Sequence, residues 1–441
     1  MKSLSIFAVL AVIGLAFAAE SDPARTSKKT PVAKKTMPVA KKKTSSKKAT
    51  ARKTTPAKKT VRPAPVPALV RLGAREEIDR KIAEAATGFE DAKPLASFFA
   101  QVNRSHESGI PVHVLQFGDS HTASDDWVSS MRTVAQQYLG DGGPGFVQAG
   151  HPYRGYRRFD ATGANTPSWK TEGTLTTRED PHQGLSGISL STGKAGQTVT
   201  LSASGESLEI YYLQQPGGGK FELQVDDRII ATIPTDGDFG PGDYRTTLTP
   251  GPHQLLLRTL ENAPVRLFGG ALDNPHGITF ETLGINGAQA SIMLEWNEPV
   301  WSAEVAARNP ALVILAYGTN EANSPKWTAE QYRGDLVAVL DRLRRAAPAA
   351  SILMVGPPDC GRLRPLAHLG EVIDVQRDVA KMQNVAFFDW RARMGGAGIM
   401  KRWVQAGLAQ ADYIHFTSAG YQLLGKMLFD QLERAYSEFH E

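Results

Sequence analysis

A single cysteine, Cys360, is all the thiol chemistry in this 441-residue chain. One thiol makes no internal disulfide, so stability has to come from core burial. Cys360 follows Pro357-Pro358-Asp359, a loop signal with no Cys–His signature around it, and reads as structural. Long apolar runs are also scarce. Leu4–Phe17 is short of the ~20 residues that a comfortable membrane span needs. With Met1-Lys2 before it and Ala16-Phe17-Ala18 at its end, it reads as a secretory signal peptide over residues 1–19. No cysteine follows for lipid attachment, so the expectation is an exported protein, periplasmic or extracellular, with no stable membrane anchor after signal cleavage. Several catalytic signatures are missing as well. There is no Gly-x-Ser-x-Gly elbow and no His-Glu-x-x-His zinc helix, and Gly142-Gly143-Pro144-Gly145 lacks the Lys-Ser/Thr of a phosphate loop. No metal and no organic cofactor is expected.

Acidic residues are nearly absent from one segment. Ser21–Arg62 holds fifteen Lys/Arg and one acid, Asp22, a net of +14. Lys2 and Glu20 cancel, so the whole-chain charge of +5 leaves a body from Pro63 onward with a net of −9. Pro31-Val32-Ala33-Lys34-Lys35-Thr36 nearly recurs at Pro38–Thr44. A segment so poor in large apolar residues buries no core and reads as a disordered, self-repelling linker over 20–67. Its composition is similar to a histone tail, but export removes nucleic acid from the expected partners. Anionic envelope polymers remain as loose electrostatic partners, beside the plainer reading of a solvated spacer.

From about residue 68 the patterning becomes that of a folded protein. Helical spacing over Ala74–Ala86 and Trp127–Leu139 flanks an apolar strand at Val112–Phe117. From His151 to Pro275 short alternating runs such as Thr198–Leu201, Leu208–Leu213, Phe221–Val225 and Gln254–Arg258 lie between Gly/Pro turns, the texture of an all-β sandwich or jelly roll. Ala311–Tyr317, Ser351–Val355 and Val385–Phe388 then alternate with helices at Thr328–Ala346, Val372–Met382 and Ser418–Leu432, as in a doubly wound parallel sheet. The expected organisation is an α/β domain over 68–150 and 276–441, with a β-sandwich module inserted over 151–275.

Polar clusters follow three of the strand or loop ends: Gly118-Asp119-Ser120-His121, Gly318-Thr319-Asn320-Glu321 and Asp412-Tyr413-Ile414-His415. Open α/β sheets place ligands beyond the carboxyl ends of their strands, so the three can converge. A serine hydroxyl needs a base, and the base needs an orienting carboxylate. Ser120 is placed to attack, and Asp412 and His415 can meet on one tight turn. The Ser120 amide, the Asn320 side chain and the Gly287 amide are candidate oxyanion donors. Each also has a plainer reading: Ser120 as a helix cap, Asn320 as a turn residue, Asp412-x-x-His415 as a structural pair. His121 adjoins Ser120 and is expected to point away from its hydroxyl.

Taken together these blocks resemble the SGNH (GDSL-like) hydrolase family. Gly118-Asp119-Ser120, Gly287, Gly318-Thr319-Asn320 and Asp412-x-x-His415 stand in the family's order. His121 and Glu321 depart from it, where many members have Leu and Asp. The resemblance implies a flavodoxin-like sheet, Ser120 as nucleophile, His415 as base, Asp412 as orienting acid, and Ser120, Gly287 and Asn320 as the oxyanion hole. Export, the β segment between the first two blocks, and the Gly-Asp-Ser-His/Gly-Thr-Asn-Glu variant look most like bacterial peptidoglycan O-acetylesterases. That implies removal of acetyl from muramoyl 6-hydroxyls, with peptidoglycan or another O-acetylated polysaccharide as partner. Trp169, Tyr211, Tyr212 and Phe239 are candidate sugar platforms in the β segment, against the plainer reading of core. Esterase action on another exported polysaccharide, acetyl transfer, and a non-enzymatic wall-binding role are the alternatives.

Overall fold

A computed structural model describes residues 66–85, 89–177, 180–361 and 366–440. The leader and all but the last two residues of the basic linker lie outside them. Helix formation begins at Ala68, with Ala68–Glu84 burying Ala74 and Ile78.

The α/β expectation holds. Five parallel strands stand in the order Ile278–Gly284, Val112–Gly118, Leu312–Ala316, Ser351–Gly356, Ala386–Asp389. Numbered along the chain this is 2-1-3-4-5, the order of flavodoxin-like doubly wound sheets. Leu312–Ala316 is buried along its whole length, as its unbroken apolar sequence requires of a strand covered on both faces. Helix Asp126–Leu139 buries Val128, Met131 and Ala135 at helical spacing. Helix Ala329–Ala346 starts where Thr328 accepts the Gln331 amide at 3.3 Å.

Ile278–Gly284 carries no strand signal that sequence patterning could isolate, because Thr279, Glu281 and Thr282 interrupt its apolar residues, yet all seven positions are buried. Tertiary partners make this possible. Arg308 donates to Glu281 at 2.6 Å and to both oxygens of Asp273, and it also meets His113 at 2.9 Å. The guanidinium holds the Glu281 carboxyl down at about 2 despite full burial, so the pair stays ionised inside the protein.

Between Gly145 and Asp273 the chain forms two antiparallel sheets. One has the order Gly240–Thr247, Ser207–Gln214, Val265–Asp273, Ser189–Thr192, Lys170–Glu172, with Gly145–Gln148 also paired to Val265–Asp273. The other runs Thr162–Asn165, Thr198–Ser204, Pro252–Thr259, Lys220–Val225, Arg228–Pro234. Leu208, Ile210 and Leu267 of the first share one core with Val199, Leu201, Leu223, Leu255 and Leu257 of the second, the packing of a sandwich. The β segment is not walled off from the α/β part. Phe146, Tyr211, Leu213 and Phe268 lie in the main core with Phe117 and Trp301.

The register of the parallel sheet brings three strand ends to one edge: Gly118 is level with both Gly284 and Ala316. The chain behind Gly118 presses directly on Gly284. A Cβ there would stand 2.2 Å from the Ala123 amide nitrogen. Gly284→Ala is expected to cost about 1–3 kcal/mol by forcing this contact apart. Thermal unfolding of the purified variant checks it; an unchanged midpoint would mean the short helix after Ser120 backs away freely.

Candidate active site

The chain leaves the sheet at Gly118 and enters a four-residue helix, Ser120–Ala123. Its cap is Asp119, whose Oδ1 accepts the His121 amide at 2.9 Å. The capping role considered for Ser120 therefore falls one residue earlier, and the Ser120 hydroxyl is free for other partners. It stands 2.9 Å from His415 Nε2.

His415 is held by a turn built for it. An isolated antiparallel bridge joins Ala409 to Phe416, and the Gln410 amide donates to the His415 carbonyl at 2.8 Å. Tyr413, at φ +62°, takes the left-handed conformation that folds Asp412 back. Asp412 Oδ1 accepts the amides of Ile414 and His415, each at 3.0 Å, and Oδ2 meets His415 Nδ1 at 2.8 Å. Partial burial alone would raise the Asp412 carboxyl, but the His415 ring and the two amides outweigh it and hold the carboxyl below its ordinary range. A carboxylate, an imidazole and a serine hydroxyl in this sequence form the relay that makes a serine nucleophilic.

His121 serves elsewhere. Its Nδ1 meets the Tyr421 hydroxyl at 3.0 Å. Burial depresses its pKa to about 3, so it stays neutral behind the His415 ring.

The remaining predicted residues, Gly287 and Asn320, follow two strand ends level with Gly118. Gly287 has φ +78°, a conformation that favours glycine. Among the described residues neither its amide nor that of Ser120 meets a protein acceptor. Asn320 Nδ2 donates to the Ala288 carbonyl at 2.9 Å and lies 3.4 Å from Asp119 Oδ2. Ser120, His415 and Asp412 thus form one chain of contacts. Asn320 is tied to the Gly287 segment through Ala288.

Sequence reasoning treated Glu321 only as a departure from a pattern. The structure makes it a brace. Its buried carboxyl accepts the Gly318 amide at 3.0 Å and the Ala290 amide at 2.8 Å, joining the segment that carries Asn320 to the segment that carries Gly287. The signal was available: an acid three residues after Gly318, at a helix start, is half of a capping box. Burial pushes its pKa up to about 7, and burial does the same to Asp119.

Ser120 and His415 open onto a cleft of about 350 Å³, whose walls include Ser124, Arg157, Gln410 and Thr417. Of the four candidate sugar platforms, Trp169, Tyr211 and Tyr212 are core residues: Tyr211 and Tyr212 lie on one strand and face the two cores in turn, and Trp169 packs into the second from the turn before Lys170–Glu172. Phe239 is exposed and stacks on His182 with ring centres 4.9 Å apart.

Residues 247–423 match the model of the GDSL-like Lipase/Acylhydrolase family, a span that includes Gly287, Asn320, Asp412 and His415. A solved structure described as a peptidoglycan O-acetylesterase in action is 28% identical, with a TM-score of 0.67, covering 80% of this chain and 99% of that one. Over residues 247–423 the chain is similar to GDSL-like hydrolases. More distant structures include family two carbohydrate esterases. One is from Clostridium thermocellum in complex with cellohexaose, 14% identical with a TM-score of 0.30 over 62% of this chain and 98% of that. Another is from Cellvibrio japonicus, 11% identical with a TM-score of 0.28 over 64% and 99%. Superpositions that loose carry nothing further. No curated protein gives a significant match. The family match and the structural likeness together support a carboxylic ester hydrolase.

In this hydrolase the brace at Glu321 makes a measurable prediction. Glu321→Gln leaves one of the two amides facing an NH₂ instead of an acceptor, at a cost of about 1–3 kcal/mol. The sign of its pH dependence follows from the raised pKa. Between the ordinary 4.5 and about 7, the folded state keeps a proton that the unfolded chain has released, so stability falls as pH rises through that window. Urea unfolding at pH 5 and pH 7 is expected to show a smaller change for Glu321→Gln than for wild type; equal changes would contradict the assignment.

Proposed function

We propose that this hydrolase is a serine esterase that removes O-acetyl groups from peptidoglycan, at the 6-hydroxyl of muramoyl residues. The observation that carries the mechanism is the contact chain Asp412 Oδ2–His415 Nδ1, 2.8 Å, and His415 Nε2–Ser120 Oγ, 2.9 Å. The likeness to a peptidoglycan O-acetylesterase over nearly the full length of that protein supports the choice of substrate.

The cycle has two halves. His415 takes the Ser120 proton as the oxygen attacks the acetyl carbonyl. The carbonyl oxygen becomes an oxyanion, and the amides of Ser120 and Gly287 and the Asn320 side chain are the donors assigned to it. Collapse breaks the ester C–O bond, and the imidazolium gives its proton to the departing sugar hydroxyl. Water then attacks the acetyl-serine, His415 takes the water's proton, and collapse returns that proton to Ser120 with release of acetate. Asp412 holds the imidazole in the tautomer with its proton on Nδ1 and stabilises the imidazolium. The sandwich between Gly145 and Asp273 would serve as a carbohydrate-holding module beside the cleft.

Acetate release from O-acetylated peptidoglycan and from p-nitrophenyl acetate tests the reading. Wild type is expected to release acetate from both, and Ser120→Ala to lose at least about 10³-fold in kcat/KM. Equal rates for the two proteins would overturn it. Acetylated product appearing when a glycan acceptor is supplied would instead make the enzyme a transferase.

We place the protein outside the cytoplasm on its expected signal peptide, with the basic Ser21–Arg62 segment as a loose electrostatic tether. Deleting Ser21–Arg62 is expected to weaken retention on isolated sacculi at about 10 mM salt and to matter little at about 0.5 M, where the Debye length is only a few Å. Retention that ignores both deletion and salt would reduce the segment to a spacer.

A further inference from the structure

The loop from Pro152 to Asp160 is pinned at its far end by buried ionic contacts. Buried Arg158 donates to the Phe146 carbonyl at 3.3 Å and pairs with Asp160 at 2.5 Å. The Phe159 amide donates to Asp125 Oδ2 at 2.8 Å, and Asp125 is itself buried and paired with Arg132 at 3.0 Å. Asp125 lies just beyond the Ser120 helix, so the loop is fixed relative to Ser120.

Arg157 immediately precedes these anchors and lines the cleft with Ser120 and His415. Its Nη1 donates to Asp126 Oδ2 at 3.1 Å. The two partners differ sharply in exposure: the Asp126 side chain is 4% exposed and that of Arg157 is 54%. The carboxylate lies behind and the guanidinium faces the opening. A guanidinium has five N–H donors in a planar fork. Among the described residues only Asp126 is hydrogen-bonded to it, so most of the fork is open to the cleft. Its carbon lies 5.9 Å from the centre of the Phe159 ring, which is itself 58% exposed. Among the described residues no other lysine or arginine lines the cleft, whose remaining polar wall, apart from the Asp126 carboxylate and the His415 ring, is hydroxyl and amide. A fixed, outward-facing fork of this kind suits a carboxylate, and an exposed aromatic ring next to it suits the apolar face of a sugar.

We propose that Arg157 is a specificity-determining residue that selects acetylated glycans whose sugars carry a carboxylate, with Phe159 supporting the sugar ring. The proposal rests on Ser120 acting as the esterase nucleophile. It favours muramoyl strands freed of their stem peptides, whose bare lactyl group supplies the anion, and acetylated uronates, and it disfavours neutral polymers such as acetylxylan.

The full chain would be given O-acetylated glycan strands freed of peptide, so that the lactyl carboxylates are bare, and the same strands with those carboxylates converted to amides. Wild type is expected to prefer the acid form by about tenfold in kcat/KM, the value of one charge-assisted contact, mostly through KM. Arg157→Gln is expected to bring that ratio close to one, and Arg157→Lys to restore part of it. O-acetylated alginate and acetylxylan separate the sources: rates on alginate near those on bare strands, with xylan slow, support selection for the carboxylate itself. A wild-type ratio of one, a ratio in Arg157→Gln equal to that of wild type, or xylan turned over as well as the acidic glycans would overturn the proposal. The wild-type ratio needs no variant, so a misfolded substitution leaves the test intact. Failure of wild type to release acetate from any of these, or from p-nitrophenyl acetate, would instead overturn the esterase reading on which the proposal rests.

Discussion

The 2.9 Å contact between Ser120 Oγ and His415 Nε2 joins residues 295 apart in sequence, and most of the fold can be read as what makes that distance hold. The serine is fixed because a buried strand ends at Gly118 and Asp119 caps the turn that follows. The histidine is fixed because Asp412 binds both its ring and its amide, in a turn closed by the Ala409–Phe416 bridge. An imidazole displaced by even an ångström would lose the proton-transfer geometry on which the proposed mechanism relies. The final helix, which packs on the helix following Ser120, holds the two halves of the site together.

A second constraint is how the site manages buried acids. Asp119, Glu321 and Glu281 are all buried, yet they are handled differently. Glu281 has Arg308 as a direct ion-pair partner and stays well below the usual carboxylate range. Asp119 and Glu321 accept backbone amides and, among the described residues, form no salt bridge, and burial raises both to about 7. The first arrangement ties the parallel sheet to the end of the Val265–Asp273 strand. The second braces the loops around Ser120 with fewer fixed charges near the place where the proposed oxyanion would develop, which suits a site whose donors are neutral amides.

The antiparallel segment contributes more than a separate module would. Its strand Val265–Asp273 carries Asp273 to Arg308, and its aromatic residues Phe146, Tyr211 and Phe268 complete the main core. The loop after Gly145–Gln148 reaches the cleft and delivers Arg157. The aromatic residues that composition suggested as sugar platforms were mostly taken by packing, because a large ring on a strand between two sheets is worth more buried than exposed. The exposed aromatic beside Arg157, Phe159, lies on a loop where no periodicity marked it.

Sequence alone carried the strand-to-helix alternation, the unbroken apolar run at Leu312–Ala316 and the order of the polar blocks, because periodicity and short motifs are local properties. It marked Ser120, His415, Asp412, Asn320 and Gly287 for the same reason. It could not mark Ile278–Gly284 as a strand, since three of its seven residues are polar and become buriable only when Arg308 and Asp125 arrive from distant parts of the chain. Nor could it give Glu321 its bracing role, separate His121 from His415 by more than adjacency, or set Arg157 beside Ser120. Those depend on which groups meet across the sheet edge. Distance and burial, not residue type, decide there what an acid, a ring or a guanidinium does.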